Sequence, residues 1–204
     1  DTTGFGSFLS RGMYSFRNES GKFGSQIGYD VNAEWATGDR IGNQTQDVTD
    51  IAGFATIQYQ PLEWFSLQPG FRYAYNSRFS SPLIYAMHAK AGPHKGVMFR
   101  ASYSSGFRAP SLKELYLFFV DVNHDITGNP DLKPENSNHV QLQLTHRIEK
   151  VTYATETEAR FFLNNIENQI TLAETGDGSY TYFNLDQSQT MGYSVGIRSS
   201  LYPF

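Results

Sequence analysis

Five histidines stand at 88, 94, 124, 139 and 146, dispersed rather than clustered. No serine, histidine and acid fall in an order that would assemble a nucleophile. No glycine-rich loop is built to cradle a phosphate, and no zinc spacing occurs. The chain has no cysteine, which removes disulfides and thiolate metal sites. Asp121, Asn123 and Asp125 in "DVNHDITG" sit at alternate positions, as oxygen ligands of a calcium loop would. Ile126 then occupies the place of the required glycine, and Leu132 that of the bidentate glutamate. An Asx-rich turn is the simpler account, with an irregular calcium site as the alternative. The run "LYLFF" at 115–119 is apolar within a polar stretch. It either packs a short piece onto a rim or presents Tyr116, Phe118 and Phe119 to a ligand. Glu156, Glu158 and Arg160 share one strand face, a pattern that braces a wall more readily than it transfers protons. These residues make no case for an enzyme, and no cofactor is expected.

The elements that must carry these residues are strands. Apolar and polar residues alternate with period two, the strand signature. In 65–79, Phe65, Leu67, Phe71, Tyr73, Tyr75 and Phe79 face one way, and Gln68, Arg72, Asn76 and Arg78 the other. Segments 23–37, 51–60, 97–105, 138–148, 153–165 and 191–201 behave alike, and 5–17 and 83–92 more weakly. That predicts about nine strands and no helix of any length. Short connections at 18–22, 61–64, 93–96 and about 149–151 alternate with longer ones at 39–47, 106–137 and 173–180, apart from a short one near 80–82. The expectation is all-β: an antiparallel up-and-down barrel wall.

Composition bears on the solvent. Apolar content is 39 % while aromatic content is 15 %, a poor recipe for a thick core but suited to a sheet with a second, wet face. Net charge is −4, with no basic stripe for a nucleic acid. No apolar run approaches the ~20 residues of a membrane helix. Several segments nonetheless exceed the roughly 9–11 residues a tilted strand needs to cross a bilayer, and aromatics recur near strand ends as an interfacial girdle does. These features favour a transmembrane wall over a soluble β-sheet binding or adhesion module. Nine is an odd count for a bacterial barrel, so a piece of a larger barrel is expected, with Pro203 opening the next turn. "DTTGFGSFLS" has no signal-peptide pattern.

Between 97 and 137 the order of motifs is informative. "RASYSSGFRAPSLKELY" and then "GNPDLKPENSNHVQLQL" resemble the TonB-dependent receptors of Gram-negative outer membranes. Phe107, Arg108, Ala109 and Pro110 match the family's Phe-Arg-Ala-Pro box. Asn129, Pro130, Asp131 and Leu132 match its Asn-Pro-x-Leu box. Downstream, "FLNNIENQITL" and "YFNLDQSQTMGYSVGI" look like a strand end and a returning strand of the family. The resemblance covers roughly 50–204. It implies the middle of a 22-stranded barrel, with residues 1–204 a single barrel segment without plug or TonB box.

The resemblance also implies a function. Such receptors import a large scarce nutrient (haem, a ferric siderophore or cobalamin) with energy relayed by TonB, and they contact outer-membrane lipid. The box residues are expected to hold the base of an extracellular loop: Pro110, Pro130 and Pro134 end strands, Gly106 and Gly128 permit unusual dihedrals, and Arg108 pairs with a lumen or loop carboxylate. Direct ligand contact by Arg108 is the alternative. Haem receptors of the family carry a ligand histidine between these boxes, where His124 stands. Neutral imidazole suits haem iron, and the alternative is a solvated loop histidine.

Overall fold

The computed structural model describes residues 2–92, 94–120, 125–176 and 178–202. Nine long strands form the wall: β1 (Thr3–Arg17), β2 (Phe23–Gly38), β3 (Thr45–Leu62), β4 (Phe65–Asn76), β5 (Ile84–Ala91), β6 (Val97–Arg108), β9 (Glu135–Glu149), β10 (Tyr153–Glu174) and β11 (Tyr180–Leu201). Each of the nine alternating segments corresponds to one of them. Between β6 and β9 lie a helix, α1 (Leu112–Tyr116), and two short strands, β7 (Phe118–Val120) and β8 (Asp125–Thr127). The sheet order is β1-β2-β3-β4-β5-β6-β9-β10-β11-β8-β7. Neighbours in the wall are antiparallel, as expected of an up-and-down series. Among the described residues the one parallel pairing joins β8 to β11 at Tyr180↔Ile126 and Thr181↔Thr127.

Register sorts the two faces. Arg11↔Asp30, Asp30↔Ala52, Ala52↔Ala74 and Arg100↔Gln143, Gln143↔Arg160 place polar side chains on one continuous surface. The opposite surface carries Phe8, Tyr14, Ile27, Phe71, Tyr73 and Tyr193, all exposed. Tyr193 is 87 % exposed, a state that water penalises and lipid does not. Asp30 accepts from Arg11 Nε and Arg72 Nη1, so its charge is matched across three strands on the polar side. Strands of 22 residues in β10 and β11 are about twice the crossing length. Their hairpin therefore projects well beyond the bilayer on the side of the long loops.

Several sequence expectations need correction. The connection expected at 173–180 shrinks to five residues, between Glu174 and Tyr180, while the short one near 80–82 grows to seven, between Asn76 and Ile84. The connection 39–47 shrinks to six residues, because β2 continues to Gly38 and β3 begins at Thr45. The segment 106–137 is not irregular throughout: β6 runs on to Arg108, β9 begins at Glu135, and the described residues between them include α1, β7 and β8. A helix of five residues is too short to show a period, so alternation alone could not reveal it. Gly106 and Gly128 are absent from the glycines with positive φ; their role is close approach. A Cβ on Gly106 would lie 2.4 Å from Ser137 Oγ. Pro203 lies outside the described residues.

Candidate functional site: the strap across the mouth

The described residues of 109–134 form a strap over the long-loop end of the wall, anchored in four places. At its base Arg108 ends β6. Its Nε and Nη2 donate to Glu135 at 2.8 and 2.7 Å, and its Nη1 donates to both oxygens of Glu114 at 3.1 and 3.0 Å. The expected carboxylate partner is thus two carboxylates, one on the wall and one on α1. A planar guanidinium pairs with Glu135 through two nitrogens and reaches Glu114 with the third, a spread of donors that a compact ammonium lacks. Ser111 caps α1 with a capping box: its Oγ accepts from Glu114 N–H, and Glu114 accepts from Ser111 N–H. Glu114 therefore closes the helix start and the ion-pair network at once.

The second anchor is a small core. Among the described residues the buried hydrophobics are Ala36, Ile41, Val48, Ala52, Leu112, Leu115 and Leu132. Ala36, Ile41, Val48 and Leu112 pack together, with Tyr116 and Leu117 against them. The core sits where the strap meets the tops of β2 and β3, where two layers exclude both water and lipid. Arg78 reinforces it: Nη1 donates to Tyr116 Oη at 2.6 Å and Nη2 to Gln46 Oε1 at 2.9 Å, and its guanidinium lies 5.1 Å from the Tyr116 ring centroid.

Backbone pairing supplies the third anchor. Gly42 N–H donates to Tyr116 C=O at 2.9 Å and Phe118 N–H to Arg40 C=O at 3.0 Å. The returning side of the strap doubles this edge, with Gly128 N–H donating to Leu117 C=O at 2.7 Å and Asn129 N–H to Glu114 C=O at 2.8 Å. A Cβ on Gly128 would sit 2.8 Å from Leu115 C and Tyr116 N, both main-chain atoms that cannot yield cheaply. Gly128→Ala should cost about 1.5 kcal/mol of strap stability and speed amide exchange at Leu117 and Gly128. Unchanged exchange there would refute the close packing.

The Asn-Pro-x-Leu box makes the fourth anchor, against β11. Asn129 Nδ2 donates to Tyr182 C=O at 2.9 Å. Lys133 N–H donates to Asn184 Oδ1 at 2.8 Å, and Asn184 Nδ2 donates back to Lys133 C=O at 2.9 Å, a side-chain copy of a strand pair. Leu132 is buried and Asp131 exposed. Phe107, Ala109 and Pro110 line the lumen below the strap together with Arg11, Asp30 and Arg72, around a cavity of about 520 Å³.

The sequence-nominated residues therefore divide. Arg108 and Tyr116 meet the wall through charge and hydrogen bonds. Phe118 is exposed, and Phe119 lies under Arg40, whose guanidinium carbon is 4.7 Å from the ring centroid. His124, with Asp121 and Asn123, lies outside the described residues. Sequence reasoning missed Glu114, Glu135 and Asn184. Ser111-x-x-Glu114 was a legible capping signal; the other two had none.

Residues 1–202 match the family described as TonB dependent receptor-like, beta-barrel. The match extends the motif-based resemblance back through β1–β3. A vitamin B12 transporter, BtuB, of Vibrio vulnificus is 31% identical over 104 residues, covering 50% of this chain and 15% of that protein. A probable hemoglobin and hemoglobin-haptoglobin-binding protein of Haemophilus influenzae is 26% identical over 129 residues, covering 57% of this chain and 13% of that protein. The chain thus spans about a seventh of the length of these relatives. The siderophore receptor PirA of Pseudomonas aeruginosa superposes with a TM-score of 0.78 over 98% of this chain and 44% of its own, at 15% identity, which shows the fold. With the wall, its two faces and the box-anchored strap all in place, the chain belongs to the TonB-dependent receptor β-barrel family of the Gram-negative outer membrane.

Proposed function

We propose that this chain is part of the barrel of an active-transport receptor that binds and imports a ferric siderophore, haem or cobalamin, using energy relayed by TonB through parts of the polypeptide outside residues 1–204. The observation that carries this is the strap. It is pinned to β2–β3, β9 and β11 by charge, core and backbone, yet it leaves Phe118 and Val120 exposed at its tip. A rigid support under an apolar, aromatic tip is what capture of a bulky ligand needs, because ordering cost is met before the ligand arrives. In this scheme Phe118, Phe119 and His124 meet the cargo, while Arg108 and Tyr116 hold the platform. Lipid surrounds the opposite face.

Haem is the first cargo to test. Haemin titrated into the full-length receptor in detergent should give a shifted Soret band that His124→Ala loses. No shift with either protein returns His124 to a solvated loop role and moves the search to siderophores and cobalamin.

A further inference from the structure

On the lipid side of β5, β6, β9, β10 and β11 the apolar band ends along one register row. Its last apolar row is Met87↔Tyr103, Tyr103↔Val140, Leu163↔Val140 and Leu163↔Met191. Two residues further toward the long loops stand Ser105↔Asn138, Asn165↔Asn138 and Asn165↔Gln189. Tyr85 closes this row, its N–H donating to Ser105 Oγ at 2.9 Å. The row above carries Asn136, Glu167 and Gln187. These two polar rows hold one carboxylate, Glu167, and no cation. A face meant only for water ordinarily mixes charges of both signs.

The amides are held in place. Tyr103 Oη donates to Asn138 Oδ1 at 2.5 Å, and Gln189 Nε2 donates to Asn165 Oδ1 at 2.7 Å. That leaves Asn138 Nδ2 and Asn165 Nδ2 as donors and Gln189 Oε1 as an acceptor, with no other partner among the described residues. Neighbouring strands lie about 4.8 Å apart, so the three amides span about 10 Å, enough for a disaccharide. Beside them the Tyr85 and Tyr103 rings lie with centroids 5.7 Å apart, and Tyr85 is 44% exposed. Phosphate recognition relies on Arg or Lys, which this face lacks, and Glu167 repels an anion. A sugar fits better. Its hydroxyls both donate and accept, so they answer the amides and Glu167 alike, and its C–H face can lie on a tyrosine ring.

We infer that Asn138, Asn165 and Gln189, with Tyr85 beside them, form a shelf that binds the sugar headgroup of the glycolipid in the outer leaflet. The shelf continues the lipid-facing band directly, so a lipid whose chains cover Val140, Leu163 and Met191 brings its headgroup to this row. The amides are oriented before the sugar arrives, which lowers the cost of ordering.

Two lipids test it. Lipopolysaccharide and cardiolipin both carry several acyl chains and phosphates, but cardiolipin has no sugar. Each is titrated into the delipidated full-length receptor in detergent, and bound lipid is counted by native mass spectrometry. Lipopolysaccharide should bind more tightly. Asn138→Ala combined with Asn165→Ala should weaken it about tenfold, the worth of two hydrogen bonds, and leave cardiolipin unchanged. If that double variant does not fold, Gln189→Ala alone should weaken it about threefold. Equal binding of the two lipids, or tighter binding of cardiolipin, overturns the inference. So does a preference for lipopolysaccharide that the variants keep. Thr157→Ala, on the same face of β10 toward the other end of the band, is the control, and an equal loss there also refutes the shelf. A negative haemin titration leaves this inference untouched, because the shelf faces away from the lumen.

Discussion

Leu112→Ala should release the strap from the wall while the barrel stays folded. Leu112 is 3 % exposed and packs on Ala36, Ile41 and Val48. Truncating such a leucine removes its transfer energy and leaves a cavity, together about 3 kcal/mol. The small size of this core raises the stakes: few other buried hydrophobics are near enough to share the loss. Lys113 lies on the strap and is exposed, so trypsin can report its opening. When opening is fast relative to cleavage, the rate follows the open population. An increase of about 100-fold is then expected in the full-length receptor in detergent. Leu67→Ala, on the lipid side of β4, serves as control and should leave cleavage of the strap unchanged. Equal rates in wild type and Leu112→Ala would mean that the core does not hold the strap.

Arg108→Ala attacks the other main anchor. It leaves Glu114 and Glu135, whose side chains are 16% and 15% exposed, without their shared cation. Breaking a fully buried pair costs 3–5 kcal/mol. The guanidinium here is 44% exposed, so water screens part of that, and about 2 kcal/mol is expected. That corresponds to roughly 30-fold faster cleavage at Lys113. Arg108→Lys should restore only part of it, because an ammonium keeps the charge but lacks the planar fork that pairs Nε and Nη2 with Glu135 while Nη1 reaches Glu114.

The same site has a pH signature. Burial works to raise the pKa of Glu114, but the Arg108 guanidinium and the hydrogen bonds from Ser111 outweigh it and hold the group below the ordinary value of 4.5. A carboxyl depressed in the folded state contributes stability that is complete above its unfolded pKa and is lost as pH falls through the folded one. Amide-exchange protection of α1 should therefore hold from neutrality down to about 4.5 and fall below it. In Arg108→Ala burial is opposed by Ser111 alone, so that fall should flatten. An unchanged profile in the variant would assign the acid sensitivity elsewhere.

Strand identity was legible because it is local. Period two shows in any stretch with one wet face and one greasy face, and nine such stretches became β1–β6 and β9–β11. The extra strand length was not legible in β10 and β11. Beyond the bilayer neither face meets lipid, so Asn164, Asn165, Glu167 and Asn168 interrupt the alternation although the strand continues.

The strap shows the opposite case. Its contacts join Asn129 to Tyr182, 53 positions away, and Lys133 to Asn184, 51 away, and no local pattern encodes a partner at that distance. Sequence alone determined the all-β wall, its two faces, its family motifs and the need of Arg108 for a carboxylate. Tertiary structure decided which carboxylates answer it, that Gly128 is needed for close approach rather than for its dihedral, and that Asn138 stands between Ser105 and Asn165. Alternation tells which face a residue takes, whereas register, set by turns and by distant pairing, tells what stands beside it.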